Sequence, residues 1–296
     1  KRKSEVMSFQ RRLTSGEFVV LAEMNTPKGV DVSELVANAR KIKGRVDGVI
    51  IPDMDNGVMR MSALAGGALI HQQGMEAMIH LYCRDRNRMA LQGDVLAAHL
   101  LGIRNLLVVP GEAMANGDHR DAAVVNDLDE LGLIGAIRSL QNGVDMAGFA
   151  LNGAPEFITG CTLGAFADEQ ALDAQLAELE KKIAAGAGFV VTPPVFDVER
   201  FATALEKIAA LKVPVIASVF LLKSVGIARY MALNEPGTHI SEAMIQRIRK
   251  APDREMECLQ IAGETIAQLK NRVQGVKIET QGWEHKLPTI LEIAGL

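Results

Sequence analysis

The chain has 296 residues, 48% of them hydrophobic and 23% charged, with a formal net charge of −4. That length holds one large α/β domain or two ordinary ones. The acidic balance excludes nucleic acid as the main partner, because phosphate binding needs a basic face, and no apolar run reaches the roughly 18 residues of a membrane span.

Read in order, the chain begins with Lys1, Arg2, Lys3, Arg11 and Arg12. These lack the apolar core of a secretory signal, and predict a short amphipathic helix ending near Gly16. Apolar runs then alternate with helical patterns. Strands are predicted over 17–22, 46–52, 77–82, 105–110, 146–151, 188–191, 213–218 and 275–279. Asp31 and Glu34 read as a capping box before Leu35, Val36, Ala39 and Ile42. After the third strand, Met89, Leu91, Val95, Leu96 and Leu100 share a helical side. Leu172, Leu176, Leu179 and Ile183 follow at helical spacing behind Asp168, and Gly186 stops that helix. Asp197 caps another, with Phe201, Leu205 and Ile208 inward. The seventh crossover is long and reads as two helices, 241–250 and 253–273, and a last helix covers 283–293. No linker divides the chain.

Eight βα units in one domain, 1–296, predict a (β/α)₈ TIM barrel with a short N-terminal helix and a long helical crossover before the last strand. The runner-up, a doubly wound sheet, would need a nucleotide fingerprint, and neither G-x-G-x-x-G nor a Walker A sequence occurs. Cys83, Cys161 and Cys258 are far apart and odd in number, which fits neither a disulfide framework nor an iron–sulfur or zinc site. No metal is expected, and a reducing cytoplasm is the natural compartment.

A barrel gathers its active site at the C-terminal ends of its strands. There the sequence offers Glu23, then Asp53 and Asp55, then the turn Cys83-Arg-Asp-Arg-Asn-Arg88. Gly111 and Glu112 follow, with Asp118 and His119 later in the same loop. Asn152, Thr192, Ser218, Glu279 and Gln281 complete the set. Glu23, directly after Phe18-Val-Val-Leu-Ala22, would sit at an apolar rim, which can keep a carboxyl protonated as a general acid. It could instead be salt-bridged to Arg84, Arg86 or Arg88. The arginines themselves read either as ligand-binding or as a solvated turn capping neighbouring loops. Cys83 has no histidine placed by sequence to activate it, so a buried inert thiol is expected. His80 is core or ligand-facing.

Val58-Met-Arg-Met-Ser62, His80-Leu-Tyr-Cys83 with the arginine turn, Leu101-Gly-Ile-Arg-Asn105, Gly117-Asp-His119, Asn126-Asp-Leu-Asp129, Ala185-Gly-Ala187, Val195-Phe-Asp197 and Gly282-Trp-Glu284 occur in an order and spacing that resemble the methylenetetrahydrofolate reductases over nearly the whole chain. The resemblance implies a flavin-containing barrel that reduces 5,10-methylenetetrahydrofolate to 5-methyltetrahydrofolate, the one-carbon donor for methionine biosynthesis. It implies FAD, or alternatively FMN, reduced by NAD(P)H or by a redox partner subunit holding iron–sulfur clusters, in a possible homo- or hetero-oligomer. Glu23 matches the family's catalytic acid, and Glu112 stands where an Asp is usual near the pterin. His80, Lys182 and Gly111 match cofactor-contacting positions. Arg84, Arg86, Asp118 and His119 would hold phosphates or folate carboxylates. Asn152, Thr192 and Gln281 complete the cofactor and substrate set.

The chain also departs from the family. Its Thr-Gln pair at strand six is Thr192-Pro193 here, and a proline has no side-chain amide to offer the pterin. Pro52, Pro110, Ala154, Ile158 and Gln175 replace other usual residues. These departures keep open a different function, a noncatalytic pterin-binding or methyl-transfer barrel.

Overall fold

The computed structural model describes residues 9–235 and 237–296; Lys1, Arg2 and Lys3 lie outside them. The strands are β1 Val19–Glu23, β2 Gly48–Ile51, β3 Ala77–Leu81, β4 Asn105–Val108, β5 Ile158–Thr162, β6 Phe189–Pro194, β7 Val215–Phe220 and β8 Gly275–Glu279. Each pairs in parallel with the next, and β8 pairs with β1, so the sheet closes into a (β/α)₈ barrel. The helices are α1 Phe9–Ser15, α2 Ser33–Ile42, α3 Ala63–Gln72, α4 Arg88–Leu100, α5 Glu130–Gln141, α6 Glu169–Ala185, α7 Val198–Ala209, α8 Val225–Asn234, α9 Glu242–Lys250, α10 Arg254–Leu269 and α11 Leu287–Ile293. No described helix is long and apolar enough to cross a membrane.

The two-residue alternation of strands sorts the core into two compartments. Val20, Ala22, Val49, Ile79, Leu106, Val190, Ala217 and Val276 point outward and pack under the helices. Val19, Leu21, Ile50, Met78, Leu107, Ile158, Phe189, Val191 and Ile216 point inward and fill the lumen. The lumen is plugged from below by α1, whose Phe9 and Leu13 join the inner set. The Phe9 ring meets Phe189 edge-on, with centroids 5.4 Å apart. The helix predicted before Gly16 is therefore the floor of the barrel.

Three expectations need correction. The fifth strand is not 146–151 but Ile158–Thr162. The earlier run makes one antiparallel bridge, Val144 to Ala150, in the connection that leads from α5 to β5. Its apolar letters outweighed a true strand that contains Thr159, Gly160 and Thr162. Gly160 is required there: a Cβ would lie 2.3 Å from the Phe189 ring, which fills the lumen on behalf of both strands. The seventh crossover holds three helices rather than two, with α8 added. Finally, α4 buries Leu91, Val95 and Ala98, while Met89 and Leu100 are exposed. A smaller difference concerns α2: Val32 occupies its N-cap, and Asp31 instead accepts the Ser33 N–H at 3.0 Å.

If α1 is the floor, Phe9→Ala should destabilise the barrel by about 3–5 kcal/mol, as loss of a buried aromatic does. Chemical denaturation of the two proteins measures this; a change below about 1 kcal/mol would show that the plug carries little of the core's stability.

Candidate functional site

At the C-terminal end of the barrel the inward positions turn from apolar to charged. Glu23 continues the Val19, Leu21 face of β1. His80 and Tyr82 continue the Met78 face of β3, and Lys277 and Glu279 occupy the inward face of β8. Together with Asp55, Glu112, Phe220, Lys223, Gln281, Ile227, Tyr230 and Met231 from α8, and Glu235 just past its end, they line a cavity of about 590 Å³. The β1–β8 register sets Glu23 beside Glu279 and Leu21 beside Lys277. From one step lower, the lysine reaches up between the two acids: Nζ lies 2.9 Å from Glu23 Oε2 and 2.8 Å from Glu279 Oε1. Glu23 and Lys277 are only 7% and 8% exposed and Glu279 is half-buried, so this is an ion triad with two buried members at the base of an open mouth.

Burial raises the Glu23 carboxyl above its ordinary value, against the pull of Lys277 and helped by the negative charge of Asp55. Burial raises Glu279 in the same way. Asp55 is pushed up to about 6 by burial and by Glu112 and Glu279. Burial, with the nearby Lys277 charge, drives His80 down to about 3, so its ring is neutral. Neither His80 ring nitrogen has a hydrogen-bond partner among the described residues, although both are buried. Such an orphaned group is costly unless a ligand satisfies it. The mouth thus offers a carboxyl poised to hold a proton, a neutral imidazole, and the carboxylates Asp55, Glu112, Glu235 and Glu279 around them.

The arginine turn has a different task. Arg84 is 3% exposed and makes a two-pronged bond to Asp85, at 2.7 and 2.9 Å. It also donates to Glu112 Oε2 and to the Met54 carbonyl, each at 3.2 Å, and lies over the Tyr82 ring at 5.1 Å. Arg86 bonds Asp53 at 2.6 Å and Asp94 at 3.0 Å, and Arg88 bonds Asp127 at 2.8 Å. The turn braces the loops after β2, β3 and β4. Arg84 and Arg86 are therefore already paired, and Gly111 packs directly on Arg84, where a Cβ would come within 2.8 Å of its side chain. None of the three arginines pairs with Glu23; its cation is Lys277.

Of the other residues singled out by sequence, Glu23, His80, Glu112 and Gln281 come together at the mouth. Asn152 does not: it is exposed in the connection before β5, at the opposite end of the barrel. The misread fifth strand caused that error, and it displaces Ala154 and Ile158 from the mouth too. Lys182 lies outside the barrel wall, bonded to Glu130 at 2.8 Å and to the Thr162 carbonyl at 3.2 Å. Asp118 is paired with Lys28, and with His119 at 2.7 Å, in the loop after β4 and away from the mouth lining. Thr192 knits β6 to β7: Pro193 and Pro194 cannot donate to the ladder, the register shifts there, and Thr192 Oγ1 accepts from the Ser218 N–H at 3.2 Å. Cys83 is buried, its thiol pushed up to about 12 by burial, which makes it inert. The residues missed from sequence are Lys277, Tyr82, Lys223 and the α8 side chains. The signal for Lys277 was present, since strand alternation puts residues 275, 277 and 279 on one face.

Comparison with known proteins agrees with this architecture. The sequence pattern of the family described as Methylenetetrahydrofolate reductase matches residues 8–295. Among solved structures, the chain is similar to an "Uncharacterized protein from Clostridium thermocellum" that "binds two copies of 5-methyl-5,6,7,8-tetrahydrofolic acid". The TM-score is 0.61 at 13% identity, covering 97% of this chain and 98% of that one. It is also similar to the EDTA monooxygenase EmoA from Chelativorans sp. BNC1, with TM-score 0.53 at 9% identity, covering 94% of each chain. These two likenesses show the fold. The family match, across nearly every residue of the barrel, shows more: the chain belongs to the methylenetetrahydrofolate reductase family.

Proposed function

We propose that the chain binds a reduced folate at the barrel mouth and reduces its 5,10-methylene bridge to a 5-methyl group, with Glu23 as general acid. The observation that carries this reading is the buried Glu23 carboxyl, raised above its ordinary value and open to the mouth of a barrel of this family. The folate bound by the similar Clostridium thermocellum barrel supports the substrate class.

Glu23 would give its proton to N10 of the folate. The bond from N10 to the bridging carbon then breaks, its electron pair stays on N10, and the positive charge rests on the iminium between that carbon and N5. Asp55, Glu112 and Glu279 surround this cation with negative charge, an arrangement that favours its formation. Glu23, now a carboxylate, is held by Lys277. Hydride addition to the iminium carbon completes the methyl group.

The family implies FAD or FMN as the hydride source. The orphaned His80 imidazole, with Tyr82 and the Gln281 amide nearby, fits the polar edge of a flavin ring. The phosphate anchors expected from sequence are paired elsewhere; Lys223 at the rim is the basic lining residue beside the buried Lys277. When bound, a reduced flavin supplies the hydride. A pterin-binding barrel without reduction is the competing reading, and it is favoured by Pro193, which cannot supply the amide the family uses.

Two outcomes test this. Glu23→Gln keeps the side-chain shape but cannot deliver a proton, so reoxidation of reduced flavin by methylenetetrahydrofolate should slow by about 10²–10⁴ while reduction by the donor changes little. Stopped-flow absorbance on each half-reaction measures both; equal slowing would make Glu23 a flavin-tuning residue, and no slowing would place the acid elsewhere. Gln281→Ala should weaken folate binding by about 1–3 kcal/mol, the cost of an unmatched buried polar partner, whereas Asn152→Ala should leave it unchanged. Calorimetric titration with 5-methyltetrahydrofolate decides, and the reverse ranking would move the folate to the other end of the barrel.

A further inference from the structure

The mouth has one cation in contact with Glu23 among the described residues, and it is shared with a second acid. Lys277 Nζ sits 2.9 Å from Glu23 Oε2 and 2.8 Å from Glu279 Oε1. We propose that Lys277 and Glu279 are positioning residues that decide when Glu23 carries its proton, the three forming one buried bridge that holds a single exchangeable proton on its two carboxyls. The proposal rests on the reading of Glu23 as the acid.

The argument is one of charge. With both carboxyls ionised and the lysine protonated, the bridge has a net charge of −1 in a place shielded from water. One added proton makes it neutral, and burial of an uncompensated charge favours that state. Two acids coupled through one ammonium titrate as a unit, so the proton belongs to the pair. Lys223, the other lining cation, is turned to the Gln281 carbonyl and the Trp283 ring, and Glu235 adds a further acid to the lining. Asp55, from the loop after β2, and Glu112, from the loop after β4, both add negative charge. From β3 come His80, neutral, and Tyr82, whose hydroxyl is raised by burial and stays protonated. Arg84 is committed to Asp85 and Glu112.

Lys277 therefore has two effects. By engaging Oε2 it fixes the orientation of the Glu23 carboxyl. By its charge it keeps Glu23 from holding its proton so firmly that the proton could not be given up. Glu279 works in the other direction, drawing part of the ammonium's field away from Glu23 and so favouring proton retention. This is a division of labour that a merely structural salt bridge would not have.

The test is an infrared titration of the protonated carboxyl stretch in the purified protein without folate, with the Glu23 band assigned by its loss in Glu23→Gln. Lys277→Met should move the Glu23 midpoint up by about 1–3 pH units, the size expected on losing an opposite charge in direct contact. Glu279→Gln should move it down, since a competing negative charge is removed and Lys277 serves Glu23 alone. Lys277→Arg should leave it close to the wild-type value. An unmoved midpoint in both charge-removing variants, or movement in the same direction, overturns the proposal. Should Lys277→Met fail to fold, the downward movement in Glu279→Gln, set against Lys277→Arg, still decides. Because the titration uses no folate, it separates the two readings: opposite movements together with undiminished folate reduction by Glu23→Gln would remove Glu23 as the acid and leave the bridge standing.

Discussion

A lysine ammonium buried between two glutamates is the interaction on which the mouth of this barrel depends. Two of the three charged groups, Glu23 and Lys277, are buried at the point where the lumen stops being apolar, and such burial is tolerated only when each charge has a close partner. Removing one member of a buried pair typically costs about 3–5 kcal/mol, because the remaining charge is stranded. The β1–β8 register makes the arrangement possible, since it places Glu23 and Glu279 side by side with Lys277 one step below. That register is in turn fixed by closure of the eight strands and by the Phe9–Phe189 floor beneath them.

The functional reading grows from the same feature. An apolar lumen below and a ring of carboxylates above produce a site that raises the Glu23 carboxyl and favours a positively charged ligand state. Generation of an iminium cation by protonation of a neighbouring nitrogen suits both properties. The unpartnered His80 ring asks for a polar ligand group in the same space. The arginine turn serves this site at one remove, by stiffening the loops that carry Asp55 and Glu112.

Much of the architecture was legible in the sequence, because alternating apolar runs and helical stripes follow directly from strand and helix geometry. Glu23 was legible for the same reason: a carboxylate ending an apolar strand has few places to go in a barrel. Two things hid the rest. Strand five was obscured because its place in the lumen is filled by Phe189 from the next strand, so Gly160 replaced the bulky residue a strand normally shows. The arginine turn stayed open between ligand-binding and loop-capping because sequence shows charges without their partners; Asp53, Asp94 and Asp127, scattered through the chain, neutralise it only in three dimensions. Lys277 was overlooked by the converse error, since a lone lysine in a strand suggests solvent until its two glutamates are seen beside it.

The most direct test of the account is a crystal structure of the protein with 5-methyltetrahydrofolate. The account predicts the pterin in the mouth over the Lys277 bridge, with N10 within hydrogen-bond distance of Glu23 and a polar partner reaching His80. Folate bound at the α1 end near Asn152, or held between Arg86 and His119 with the mouth left to solvent, would contradict it.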